Sequence, residues 1–185
     1  MFAPVFHPAM KYASAPRREI GIRTVFNIIG PLTNPADAKA QVLGIADGSL
    51  LEKLVLVLQS LGCNHALVVH GDDGLDEITI TGKTRVCELN SGRIESYTIN
   101  PGDFGLSQAS LETLKGGSVN ENATLLRRIL AGATGPQRDV VLMNAAAVLL
   151  VGGKVDALRG GISLAKEVID SGHALMKLEQ LIEFS

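Results

Sequence analysis

One stretch of the sequence restricts the fold more than any other, because two short apolar runs flank a segment with helical spacing. Gln41–Ala46 and Ala66–Val69 are predicted to be buried strands, since both runs are short, apolar and bounded by turn residues. Between them, Leu50–Leu61 is predicted to be a helix that ends at Gly62. Its apolar face is formed by Leu51, Leu54, Val55 and Leu58. A strand, a helix and a second strand in this order predict a βαβ unit with parallel strands.

After this unit the spacing of apolar residues along the chain changes twice. Three segments alternate apolar and polar residues and predict a small antiparallel meander: Ile78–Ile80, Thr84–Leu89 and Arg93–Ile99. Helical spacing then predicts Asn120–Ala131, Arg138–Val151, Val155–Asp170 and a last helix before Ser185. The predicted fold is one α/β domain over residues 1–185, in which helices flank a partial parallel sheet and an antiparallel meander.

Composition and charge narrow the possible functions. A net charge of −2 provides no basic field for nucleic acid, and no apolar run approaches the ~18 residues of a membrane span. The two cysteines are too few for a disulfide framework, which favours a cytoplasmic setting. Because hydrophobic residues make up 46% of the chain, we expect a partner subunit or a further domain to cover part of its surface.

The segment His70–Glu77 directly follows the second strand of the βαβ unit and contains four acidic residues. Ligands of open α/β sheets bind at the carboxyl ends of parallel strands, so this is a suitable position for a binding loop. Adjacent carboxylates repel each other and require either water or a cation. Spacing alone favours a solvated acidic turn, which suits Asp72-Asp73. Asp76-Glu77 leads into a predicted strand and is the better candidate for a magnesium site.

A second candidate site is the basic pair Arg17-Arg18, which lies near the Gly30-Pro31 step. Arginine is suited to planar, bidentate recognition of a carboxylate or phosphate, and a glycine backbone can approach a flat ligand closely. Without further context, a surface ion pair with Glu19 is the favoured interpretation. His7, in the opening loop, is a further candidate to border a ligand, although such histidines are more often structural.

Two longer motifs carry a resemblance to a known family. They read GIRTVFNIIGPLTNPA at Gly21–Ala36 and HGDDGLDEIT at His70–Thr79. Both resemble hallmark segments of the anthranilate phosphoribosyltransferases, and FHPAMKYA, PGDFGL and ENA are shorter matches. The resemblance implies the carboxyl-terminal domain of the nucleoside phosphorylase/phosphoribosyltransferase-like fold. It also implies transfer of the phosphoribosyl group of phosphoribosyl pyrophosphate to anthranilate. The products are N-(5-phosphoribosyl)anthranilate and pyrophosphate, in tryptophan biosynthesis.

The same resemblance implies roles for individual residues. Asp76 and Glu77 match the family's magnesium ligands, and this ion binds the pyrophosphate of the donor. Arg17 matches the arginine that contacts the carboxylate of anthranilate. His7 and the Gly30-Pro31 turn would line the path of anthranilate. The implied cofactor is therefore Mg2+, and the implied partners are the two small-molecule substrates, without nucleic acid or membrane.

The sequence also departs from the family pattern. The family's amino-terminal helical domain, which carries the homodimer contact, and its GTGGD, NxST and KHGN segments have no counterpart here. The opening residues read like the middle of a loop, so Met1 is expected to reflect truncation or a misassigned start. We therefore expect the chain to be incomplete and inactive alone. Two alternatives stay open: a non-enzymatic fragment or subunit that needs a partner chain, and a phosphorylase or nucleic-acid-binding relative of the same fold.

Overall fold

The second of two compact units contains all the helices and strands described below. The units are residues 1–39 and residues 40–185. The computed structural model describes Tyr12, Glu19, Gly30, Leu32 and residues 36–184. The assignment of the whole chain to one domain stays a prediction.

The predicted strand–helix–strand unit is confirmed. Strand β1 is Ala40–Gly44, helix α1 is Leu51–Ser60 and strand β2 is His65–Gly71. The two strands pair in parallel, with Ala40 opposite His65. Strand β1 ends two residues earlier than predicted, because the chain turns towards a short 3-10 turn before α1.

The remaining strands are antiparallel and complete a four-stranded sheet in the order β1-β2-β3-β4. Strand β3 is Thr84–Asn90 and strand β4 is Arg93–Ile99. They are joined by the two-residue turn Ser91-Gly92, whose φ angles of 51° and 86° are both positive. Two positive φ angles are typical of the tight hairpin turns that match the twist of the flanking strands.

The predicted strand Ile78–Ile80 is wrong, because these residues form no strand ladder. The meander consists of β2, β3 and β4, so that β2 occupies the place expected for the missing strand. All three residues of the segment are nevertheless buried, with at most 1% exposed. Several of their backbone groups bond to side chains instead, as when the Thr79 N–H donates to Thr84 Oγ1 over 3.0 Å, while the Ile80 carbonyl accepts from the Ala109 N–H.

Four helices follow the sheet: α2, Val119–Leu130; α3, Pro136–Val151; α4, Leu158–Asp170; and α5, His173–Phe184. Helix α4 begins three residues later than predicted, α2 and α3 are confirmed within two residues, and α5 confirms the last predicted helix, for which no bounds were given. Short 3-10 turns occur at Pro101–Phe104 and Leu111–Leu114. Among the described residues, no helix is long and apolar enough to cross a membrane.

The main core lies between the sheet and α3. Its buried residues are Leu67, Val69, Ile78, Ile80, Val86, Ile99, Met143, Ala147 and Val151. Helix α1 contacts β2 and β3 and packs on the fully buried Ala66 and Val68, which alternate with the core residues along β2. Helices α3 and α4 approach closely, since a Cβ atom on Gly161 would lie only 2.8 Å from Ala146 Cα. The predicted fold class is therefore confirmed.

Candidate metal and substrate site

The acidic loop, Asp72–Glu77, lies at the carboxyl ends of the two parallel strands. It leaves β2 directly, and its Asp76 carbonyl packs on Gly44, the last residue of β1. A Cβ atom on Gly44 would lie 1.6 Å from the Asp76 carbonyl oxygen, so only glycine permits this contact. The loop therefore has the position in the sheet that ligand-binding loops of open α/β folds occupy.

Asp73 is the internal anchor of the acidic loop rather than a solvated acid, so the interpretation of Asp72-Asp73 as a solvated turn is wrong for this residue. Its carboxylate accepts hydrogen bonds from the Thr79 hydroxyl at 2.5 Å, from the Thr81 hydroxyl and from the Leu75 N–H at 3.1 Å. Partial burial alone would raise the pKa of Asp73, but these hydrogen bonds outweigh it and lower that pKa. Gly71 makes room for the carboxylate, since a Cβ there would lie 2.4 Å from Asp73 Oδ1.

Asp72 differs from Asp73, because its carboxylate remains about half exposed at the surface. It forms an ion pair with Arg85, in which Nε and Oδ1 are 3.3 Å apart. Both side chains keep nearly half of their surface in solvent, so this pair contributes little to stability. Asp72 is therefore an acidic residue of the same loop with a cationic partner already present.

Asp76 and Glu77 are exposed, and neither carboxylate has a hydrogen-bond or ion-pair partner among the described residues. Burial of part of Glu77 raises its pKa, and the charges of Asp76 and Asp73 raise it further. Two neighbouring, uncompensated carboxylates offer the hard oxygen ligands that Mg2+ prefers. No group of three metal-ligating side chains occurs in the described part of the chain. An ion bound by this pair alone would have further coordination positions to fill with other oxygen ligands.

The backbone that follows Glu77 is fixed by a residue that sequence reasoning missed. Asn144, on α3, accepts a hydrogen bond from the Ile78 N–H at 3.0 Å and donates one to the Ile78 carbonyl at 2.8 Å. The contact joins residues 66 positions apart, so no local spacing could reveal it. The one available signal was a lone amide in an otherwise apolar stretch of helix.

The other predicted site residues all belong to residues 1–39. His7, Arg17 and Pro31 lie outside the described residues, and Gly30 is described as exposed. Their predicted contacts with anthranilate stay predictions. His70, at the start of the acidic segment, is buried, and its Nδ1 lies 2.9 Å from the Ile45 carbonyl oxygen, which indicates a structural role.

Comparison with known proteins identifies the family. A sequence model of the glycosyl transferase family, a/b domain, matches residues 1–175. The chain belongs to this family. A curated relative of this glycosyl transferase chain, the anthranilate phosphoribosyltransferase of Dehalococcoides mccartyi, is 55% identical over 187 residues. That alignment covers 100% of this chain and 55% of the relative. The resemblance predicted from the motifs is thus confirmed.

Solved structures of proteins with the same name match this glycosyl transferase chain. The crystal structure of anthranilate phosphoribosyltransferase from Thermus thermophilus has a TM-score of 0.91 and 45% identity. The match covers 100% of this chain and 54% of that chain. The Saccharomyces cerevisiae enzyme in complex with phosphoribosyl pyrophosphate and Mg has a TM-score of 0.86 and 31% identity, covering 96% and 51%. This chain therefore spans about half the length of the relatives that it matches.

Proposed function

We propose that this chain forms the magnesium-binding part of an enzyme that transfers the phosphoribosyl group of phosphoribosyl pyrophosphate to anthranilate. One observation carries the proposal: Asp76 and Glu77 are exposed, adjacent and unpartnered among the described residues, on a backbone anchored at both sides. Water or a cation must offset the repulsion of an anionic pair fixed in this way, and a cation shared by both carboxylates offsets it most directly. The names of the relatives favour this reaction among those of the glycosyl transferase family.

In this mechanism the residues of the chain bind and orient the two substrates, and the proton that the amine loses as its bond to the anomeric carbon forms passes to the solvent. Asp76 and Glu77 would bind Mg2+ together with the pyrophosphate of the donor. When bound, Mg2+ offsets the negative charge that the leaving pyrophosphate gains as its bond to the anomeric carbon breaks. Arg17 would grip the carboxylate of anthranilate through two parallel hydrogen bonds. His7 and the Gly30-Pro31 turn would line its path, so that the amine nitrogen meets the anomeric carbon.

We also propose that this chain alone does not catalyse the reaction. The sequence contains no glycine-rich loop after a strand that could cradle phosphate, and the chain spans about half of its relatives. The acidic pair would therefore need a second part of the enzyme to complete the donor site. We also propose a cytoplasmic setting and, in the complete enzyme, a homodimer.

A titration tests the magnesium-binding role. Mg2+, then phosphoribosyl pyrophosphate, is titrated calorimetrically into the parent chain, into the double variant Asp76→Asn/Glu77→Gln and into Asp72→Asn. The last variant is the matched control, because it removes one charge from the same loop at a residue that already has a cationic partner. We expect the double variant to bind Mg2+ at least about tenfold more weakly than the control. Equal affinities of the two variants would exclude the pair as the site.

A second candidate function is that of a subunit that works only with a partner chain. Large apolar side chains that are about half exposed or more favour it: Leu56, Leu61, Met176, Leu181 and Phe184. Measurement of the mass in solution separates the two cases. A monomer that stays monodisperse over a wide concentration range argues against the partner-dependent subunit.

A further inference from the structure

We propose that Asn144 is a positioning residue for the Asp76-Glu77 pair, a role that rests on the proposed function. Its side-chain amide bonds to both polar backbone groups of Ile78, the residue directly after Glu77. Asn144 thereby connects α3 to the acidic loop. It does not touch the reacting atoms, and it acts through the backbone that carries the two carboxylates.

The orientation of the Asn144 amide is fixed by three hydrogen bonds. The Ile78 N–H needs an acceptor, which is Oδ1, while the carbonyls of Ile78 and Val140 need a donor, which is Nδ2. The bond from Nδ2 to the Val140 carbonyl, at 3.0 Å, ties the amide to its own helix. A flipped amide would lose all three bonds, so only one orientation satisfies these groups.

These bonds matter because Ile78 is buried. Its side chain is in the main core and the residue is 1% exposed, so water cannot easily replace a lost partner. The segment is not part of a strand, and Asn144 provides the pairing that a neighbouring strand would otherwise give. Without it, the Ile78 N–H and carbonyl would remain unpaired in the core, and the backbone would be expected to shift to satisfy them.

The acidic pair is thus anchored from two sides. On one side the Asp76 carbonyl packs on Gly44 at the end of β1, and on the other Asn144 bonds to Ile78. Consecutive Cα atoms are about 3.8 Å apart, so Glu77 lies only one residue from each anchor. Loss of the Ile78 anchor would free the Glu77 carboxylate to point away from an ion shared with Asp76. Outer residues that orient metal ligands commonly alter metal affinity 10–100-fold, by roughly this mechanism.

The chain provides a matched control with the same chemistry. Asn122, on α2, also bonds to both polar backbone groups of one residue, accepting from the Gly117 N–H at 2.8 Å and donating to the Gly117 carbonyl at 3.1 Å. This pairing does not involve the acidic loop. Asn122→Ala therefore removes an amide–backbone pair of the same geometry, at an exposed site, without a change next to the acidic pair.

The test measures binding of Mn2+ alone, through water-proton relaxation, with thermal unfolding of each variant measured in parallel. We expect Asn144→Ala to weaken Mn2+ binding about tenfold or more at temperatures where it is folded, while Asn122→Ala leaves the affinity unchanged. Asn144→Ser, which keeps a hydroxyl on the same helix, provides the comparison if the alanine variant does not fold. A merely structural role would lower the melting temperature and leave the affinity of the folded protein as in the parent.

The Mn2+ titrations can overturn the inference in two ways, which differ in what they leave of the proposed function. Equal Mn2+ affinity in the parent and in the folded Asn144 variants would refute the positioning role and leave the proposed function standing. If Asp76→Asn/Glu77→Gln binds Mn2+ as tightly as the parent, the pair is not the metal site. The same follows if the parent binds no Mn2+, and in both cases the positioning role is refuted as well.

Discussion

Gly44 offers the sharpest test of the way in which the sheet supports the acidic loop. In Gly44→Ala the new Cβ would lie 1.6 Å from the Asp76 carbonyl oxygen, whereas real Cβ contacts are essentially never below 3.0 Å. The atom that must move is backbone, so the clash cannot be relieved by rotation of a side chain. Overpacking of this kind costs about 1–3 kcal/mol, and 2 kcal/mol corresponds to a fall of roughly 4–8 °C in Tm for a chain of this size.

The matched control is Gly82→Ala. A Cβ on Gly82 would have no neighbour within 4 Å, and its backbone is not in the left-handed region. Alanine there should leave stability unchanged or raise it by up to about 1 kcal/mol through the unfolded state. Urea unfolding measures the stability of both variants. Mn2+ titration measures whether a shift of the Asp76 carbonyl also changes the affinity for the metal. If Gly44→Ala matches Gly82→Ala in both stability and Mn2+ affinity, the Asp76 carbonyl does not rest on β1 as described.

Two further predictions concern stability. Asp73→Asn should cost about 1–3 kcal/mol near neutral pH, because hydrogen bonds to a charged acceptor are lost. Since the pKa of Asp73 is lowered from 3.8 on folding, its stabilisation is complete above about pH 4 and is lost as the pH falls through the folded pKa. Acid unfolding followed by circular dichroism should therefore be less steep in the variant than in the parent. Arg138→Ala should cost about 1–3 kcal/mol in urea unfolding, because it removes a 5% exposed guanidinium that donates to Asp170 at 2.5 Å and to the Gly132 carbonyl at 3.0 Å. Arg127→Ala, at the half-exposed pair with Glu179, should cost less than about 1 kcal/mol, and equal losses would contradict the assigned burial.

Local patterns were enough to predict the elements whose burial follows a regular period. The apolar face of α1 and the two apolar runs of β1 and β2 could each be identified from a few neighbouring residues. Their order then determined that the strands are parallel, and the acidic loop could be assigned to the carboxyl ends of those strands. The position of Asp76-Glu77 relative to the sheet was thus predictable. The magnesium-binding role of the pair came from the resemblance and stays a proposal.

The parts that could not be predicted depend on contacts between distant residues. Ile78–Ile80 alternates like a strand, but Thr79 is buried through its hydrogen bond to Asp73, so alternation there does not reflect an exposed face. Asp73 is predicted to be solvated because one of its hydroxyl partners, Thr79, falls in a predicted strand and the other, Thr81, lies just beyond it. Asn144 lies 66 residues from Ile78, and no sequence period connects them.

Strand β2 has a consequence for local unfolding. It is flanked by β1 and β3, and six of its seven residues are buried, whereas α5 has no buried residue. The amides of β2 should therefore exchange with solvent only through opening of most of the sheet, while those of α5 exchange through fraying. The acidic loop begins at the end of this slowly exchanging strand. Fluctuations that detach the carboxyl-terminal helix would consequently leave Asp76 and Glu77 in place.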